Sequence, residues 1–171
     1  MKILTTLGLL LFMSCAHDYN KTVPYVDLDR FMGKWYVIAG RFTFLENGAH
    51  NSVEIYSWNS KEKRIDIDFQ FRKGSFNGKL KKIPQKAWIV NEETQAHWEV
   101  SPFWPLKFDY FVIDLADDYS WTAIGVPNQK YLWIMSRNWN MSDKKLKEII
   151  QSIKEKGYKV KPFEKVPQNG Q

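Results

Sequence analysis

The chain has 171 residues and a single cysteine, Cys15, so no intrachain disulfide can form. The CxxC pairs and Cys/His spacings of zinc ribbons are missing with it. Three histidines, His17, His50 and His97, stand far apart with no HExxH or other short ligand spacing, which gives a metal site or metal cofactor no basis. No GxSxG elbow, P-loop or GxGxxG occurs, and the common nucleophile and phosphate-cradle enzymes go with them. Asp66 and Asp68 share a strand face as a glycosidase pair would, but a solvated outer surface accounts for them. No solenoid-period repeat and no low-complexity run is found. Apolar runs are short: the longest, Ile3 to Met13, has about 11 residues where a membrane-spanning helix needs roughly 20.

What the chain has in plenty is large rings, 8 Trp, 8 Tyr and 11 Phe, or 16% of its residues. So many need a thick core or a cavity to line. Hydrophobic content of 44% and charged content of 26% fit one ordinary folded domain. Met1-Lys2 followed by the short apolar run fits an export signal. It ends Phe12-Met13-Ser14-Cys15, which resembles the lipobox of bacterial lipoproteins, where cleavage before Cys exposes a thiol and amine for acylation. Phe12 stands where that motif prefers Leu, and an ordinary signal peptide with an incidental thiol is the plainer alternative. The resemblance implies a signal peptide over 1–14 and an acylated Cys15 with a polar tether over 15–24, anchored in the membrane. Several acyl chains hold a protein where one barely does. Ala16-His17 rather than Asp after the cysteine implies the outer membrane, on its periplasmic face. The net charge of +6, with basic residues among aromatics, has the look of a nucleic-acid binder, but an exported chain argues against a nucleic-acid partner. Attraction of Lys144, Lys145, Lys147, Lys154 and Lys156 to anionic headgroups and a solvated helix face are the two readings left for those charges.

From Pro24 onward, short strand-like segments alternate with turn signals. They are residues 35–42, 53–58, 64–72, 79–90, 96–101, 109–115, 120–126 and 131–137. Arg64 to Arg72 is the clearest: Ile65, Ile67, Phe69 and Phe71 alternate with Asp66, Asp68, Gln70 and Arg72, the period of a half-exposed antiparallel strand. Pro84 predicts a bulge or an edge in the fourth segment. The period then changes. Leu146, Ile149, Ile150 and Ile153 follow the spacing of an amphipathic helix, with Ser142 as N-cap and Gly157 at the left-handed C′ position. Tyr158 to Lys161 is a candidate for one more strand. The pattern predicts an all-β fold, an eight-stranded up-and-down antiparallel barrel with one C-terminal α-helix packed outside.

Such a barrel could carry its apolar face inward in water or outward in lipid. A surface helix needs a wall to pack on, and Lys79, Lys81 and Lys82 put charge on both faces of one strand. The soluble barrel is therefore predicted.

Gly33-Lys34-Trp35-Tyr36, preceded by Leu28-Asp29-Arg30-Phe31, resembles the G-x-W signature of the lipocalins. Asp109-Tyr110-Phe111-Val112-Ile113 is similar to that family's second motif, and Leu132-Trp133-Ile134-Met135-Ser136-Arg137 to its third. With Cys15, the chain resembles the bacterial outer-membrane lipoprotein lipocalins of the apolipoprotein D-like group. Val37 departs from the Glu usual in close relatives, and Pro102 to Pro105 is unusually rich in Pro and Trp.

The resemblance implies a lipocalin domain over 25–171 forming a calyx, closed at one end by Gly33, Trp35 and Arg137, with the guanidinium over the indole. Counting by twos from Trp35 and along 64–72 points Val37, Ala39, Ile65, Ile67, Phe69 and Phe71 inward. The resemblance adds Tyr56, Trp98, Val100, Tyr110, Val112, Trp133 and Met135. The expected ligand-binding residues are Val37, Tyr56, Phe69, Phe71, Trp98, Tyr110, Val112, Trp133 and Met135. The Tyr56 and Tyr110 hydroxyls could meet a ligand oxygen, while Glu54 and Asp114, in phase with them, are wall or rim groups. The function implied is non-enzymatic: a membrane-anchored lipid-binding protein holding a fatty acid or lysophospholipid for storage, transport or membrane maintenance, with no cofactor. The alternative is a surface interaction protein with a filled barrel, acting through loops such as Thr43 to His50. Pairing of two barrels into a homodimer stays open.

Overall fold

The computed structural model describes residues 18–170; the expected signal peptide over 1–14, Cys15 and His17 lie outside them. A short helix α1 (Leu28–Phe31) leads into β1 (Gly33–Arg41), β2 (Ala49–Asn59), β3 (Arg64–Lys73), β4 (Leu80–Ile89), β5 (His97–Ser101), β6 (Phe108–Leu115), β7 (Trp121–Gly125) and β8 (Leu132–Ser136). Helix α2 (Asp143–Glu155) and a two-residue strand β9 (Glu164–Lys165) complete the chain. Neighbours in sequence pair antiparallel from β1 to β8, and β8 returns to β1, so the sheet closes into an eight-stranded barrel. The eight strands expected between residues 35 and 137 and the helix all form.

Closure leaves two large cores, with a smaller cluster of Ala49, Phe69 and Phe71 in the upper barrel. Inside the barrel, Trp35, Val37, Tyr56, Ile65, Trp98, Val112 and Met135 pack around Phe31, which α1 carries into the closed end. Outside, Leu146, Ile149, Ile150 and Ile153 of α2 cover Ala39, Phe111, Ile113, Leu132 and Ile134. Each such buried side chain contributes roughly 1.5–3 kcal/mol. Ser142 caps α2, its hydroxyl accepting from Lys145 N at 3.2 Å, and Gly157 takes φ +86° just past the C-cap.

Three departures from the sequence reading have local causes. Ala39 does not continue the inward phase of Trp35 and Val37. Ile38 is an extra residue between the Val37–Met135 and Ala39–Ile134 pairs, a bulge that turns Ala39 onto the helix-facing wall. A second irregularity between Val112 and Asp114 turns Asp114 away from the cavity toward α2, where it accepts from Ser152 Oγ at 2.6 Å and from Lys156 Nζ. Tyr158 to Lys161 is not a strand. Tyr158 instead lies across Gly125, its hydroxyl accepting from Val126 N at 2.8 Å and donating to the Tyr131 carbonyl. The extra strand forms beyond Pro162, where Glu164–Lys165 pair with Gly40 and Ala39.

Pro84 causes no register shift against β3. On its other side β5 pairs only with Lys86–Ile89. Pro84 therefore sits on an open edge, where Lys81 and Lys82 also discourage further pairing.

Candidate ligand-binding site

The barrel is sealed at one end by α1 and Arg137. The guanidinium carbon stands 3.7 Å from the Trp35 ring centre. Its Nη1 donates to Lys34 O at 2.8 Å, and its Nη2 lies 2.7–3.0 Å from the carbonyls of Arg30, Phe31 and Met32. A planar fork suits this cluster as an ammonium does not. Gly33, at φ +94°, brings the chain under the fork; a Cβ there would sit 3.4 Å from Arg137 Nη1. Trp35 Nε1 donates to Phe31 O at 2.8 Å. Phe31 then meets Trp35, Tyr56 and Trp98 at ring-centre distances of 5.1–5.4 Å.

Above this plug is a cavity of about 620 Å³, opening where the β1–β2, β5–β6 and β7–β8 connections meet. Its size suits a small-molecule ligand. Apolar walls come from Ile67, Phe69, Ile83, Val100 and Trp133. Of the nine residues expected to contact ligand, Phe69, Tyr110 and Trp133 face this space. Phe71 packs beside Phe69 with Ala49 and Ile83. Val37, Tyr56, Trp98, Val112 and Met135 lie lower, in the packed interior around Phe31.

Glu54 and Tyr110 form the floor of the cavity, directly over Tyr56 and Trp98. Tyr110 stacks on Trp98 with 3° between the rings and 5.2 Å between their centres. Tyr56 Oη donates to Glu54 Oε2 and also contacts Tyr110 Oη. Tyr56 has one hydroxyl hydrogen, which goes to the carboxylate, so the Tyr110 hydrogen goes to Tyr56. With Glu54 ionised, neither phenol keeps a donor for a ligand oxygen. Burial pushes the Glu54 carboxyl up to about 7, opposed by the Tyr56 bond and reinforced by Glu46. Burial also raises both phenols well above their ordinary range, with the Glu54 charge adding to it.

Glu46, which the sequence reading left in a loop, is buried at the mouth in a short 3-10 turn over Phe44–Glu46. It accepts from Trp133 Nε1 at 2.7 Å and from Thr43 N and Oγ1 at 3.0 and 2.8 Å, which fixes the Trp133 ring in the wall. Burial raises its carboxyl, and these bonds oppose the rise. Around the opening, Phe44, Phe103, Trp104, Leu106 and Phe108 are exposed, Phe44 to 85% and Trp104 to 72%. Lys107, the cation among the cavity's described lining residues, pairs with Glu99 at 2.7 Å and stands over the Trp88 ring.

A closed antiparallel barrel with an external helix, a plugged end and an apolar cavity open at the other is the architecture of a small-ligand-binding protein. The chain belongs to the lipocalin family, matching its Lipocalin-like domain over residues 26–168. It is 30% identical over 147 residues to outer membrane lipoprotein Blc of Escherichia coli strain K12, covering 84% of this chain and 80% of that protein. Temperature-induced lipocalin-1 of Arabidopsis thaliana is 27% identical over 155 residues, 87% and 83% of the two chains. Among solved structures, insecticyanin from the tobacco hornworm Manduca sexta superposes with a TM-score of 0.66 at 16% identity, covering 90% of this chain and 88% of the other. Lobster apocrustacyanin A1 gives 0.64 at 17% identity over 83% and 79%. These last two similarities speak to fold.

Proposed function

We propose that the protein is a membrane-anchored lipid carrier or store, with the tail of a fatty acid or lysophospholipid in the cavity and the headgroup at the mouth. The observation that carries this reading is the one-ended cavity of about 620 Å³ with walls of Ile67, Phe69, Ile83, Val100 and Trp133. Each buried CH₂ contributes roughly 0.8 kcal/mol. A cavity of this size favours this reading over the filled-barrel alternative.

The anchor in this reading is an acylated Cys15, and the N-terminal segment would bring it to the cavity mouth. Tyr19 N donates to Pro127 O at 2.7 Å, and Asp18 borders the cavity mouth. Cys15 precedes Asp18 by three residues, a reach of at most about 11 Å. Acyl chains on that residue would hold the mouth and its exposed rings beside the bilayer. The similarity to outer membrane lipoproteins favours the outer membrane.

Titration of delipidated protein with hexadecanoate, followed by Trp fluorescence, should saturate at one ligand per chain. Phe69→Ala and Trp133→Ala should each weaken binding about tenfold or more, since a lost buried ring forfeits roughly 1.5–3 kcal/mol. An unsaturable signal, or identical binding by both variants, would contradict the assignment of this cavity.

A further inference from the structure

Glu54 is out of place in an apolar cavity. It is only 7% exposed and lies at the deep end. Its strand partners, Trp35 on β1 and Phe69 on β3, carry no charge. From β2 itself comes the Tyr56 hydroxyl, from β6 the Tyr110 hydroxyl, and from the 3-10 turn the carboxylate of Glu46. No cation faces it among the described groups, because Lys107 stands at the mouth and is engaged with Glu99. With Glu54 ionised, both phenol hydrogens are directed along the chain of bonds that ends on it.

We propose that Glu54 is the specificity-determining group of the cavity: it reserves the floor for an uncharged end of the ligand and confines an anionic headgroup to the mouth. The proposal rests on the lipid-binding reading above and names the polarity of the bound molecule. An anion brought to the floor would meet a second carboxylate with no cation between them, only the neutral amide of Gln85 on the same wall, an arrangement that disfavours ionisation of both. A methyl end or a hydroxyl meets no such penalty, and a hydroxyl can donate to the carboxylate. A hydrocarbon tail laid over Glu54 removes its remaining contact with water and so favours its protonated form. Tail binding should therefore take up a proton.

Two measurements test this on the full mature protein. In the first, wild type and Glu54→Gln are titrated at pH 8 with hexadecanoic acid, its ω-hydroxy derivative and hexadecanedioic acid. Wild type should bind the first two comparably and the diacid far more weakly. In Glu54→Gln the gap between hydroxy acid and diacid should shrink at least about tenfold, as expected when a like charge is removed from a buried site. An unchanged gap overturns the proposal. The second measurement needs no substitution. Binding of a monoacylglycerol, uncharged at every pH used, is followed by calorimetry in two buffers of different ionisation enthalpy. Affinity should fall severalfold between pH 6 and 8.5, with a fractional proton taken up near pH 7; a pH-independent affinity without proton uptake overturns the proposal. Failure of every one of these ligands to bind wild type would instead overturn the lipid-binding reading, so the two failures are distinguishable.

Discussion

Arg137 and Glu54 show what single ionisable groups do in this barrel. The guanidinium is half-buried, yet four backbone carbonyls and an indole face receive it. Arg137→Ala should therefore lower unfolding stability by roughly 3 kcal/mol, combining lost charge-assisted hydrogen bonds with a cation–π contact. Arg137→Lys should recover little of it. Urea unfolding measures both, and hexadecanoate affinity of the folded variants should stay close to wild type, since the plug lies below the cavity. Glu54 has the opposite balance. Its carboxyl is raised from an ordinary 4.5 to about 7 in the folded chain. Between those values the folded state holds more protons than the unfolded one, so stability falls as pH rises through this window. The full loss is about 3 kcal/mol, present as a slope between about pH 4.5 and 7 in denaturation midpoints. Glu54→Gln should flatten that slope; an equal slope in the variant would mean that another group causes it. Arg137 was legible in the sequence because it ends a family motif. Glu54 was legible only as a residue in phase with Tyr56, since burial and the pairing of two distant tyrosines are products of the closed barrel.

At the scale of elements, alternation and helical periodicity carried most of the fold. β3 shows the clean burial pattern that Ile65, Ile67, Phe69 and Phe71 predict, and all four apolar residues of α2 are buried. The bulges at Ile38 and beside Ile113 were not legible. Each inserts one residue into an unbroken apolar run, where counting by twos has no polar marker to expose a slip. Both serve α2: one turns Ala39 beneath it and the other delivers Asp114 to Ser152 and Lys156. Ile153→Ala should cost about 2–5 kcal/mol, as for other buried large-to-small changes, in thermal or urea unfolding. Gly125→Ala should also destabilise, by roughly 1–3 kcal/mol, because a Cβ would come within 2.6 Å of the Tyr158 ring. The position of Glu46 could have been suspected from Thr43 three residues before it, a spacing that lets Thr and Glu side chains bond to each other's turn.

For the whole molecule, the decisive feature is that its two ends differ. One is packed solid around Phe31, while the other is open, ringed by exposed aromatic side chains and adjacent to the start of the described chain. In the proposed arrangement, Cys15→Ala should release the protein from membranes without changing its hexadecanoate affinity; persistence in the membrane fraction would contradict acylation at Cys15. The aromatic content that first suggested either a thick core or a lined cavity serves both, with Phe31, Trp35, Tyr56 and Trp98 below and Phe69 and Trp133 above. The central claim is that the upper half holds an acyl chain. The most direct measurement is extraction of the non-covalent lipid from protein purified out of its native membrane, with identification and quantification by mass spectrometry. About one single-tailed acyl lipid per chain should be recovered, and it should be lost when Trp133 and Phe69 are both replaced by Ala. Protein that emerges with no bound lipid, or with the same lipid after both replacements, would contradict that claim.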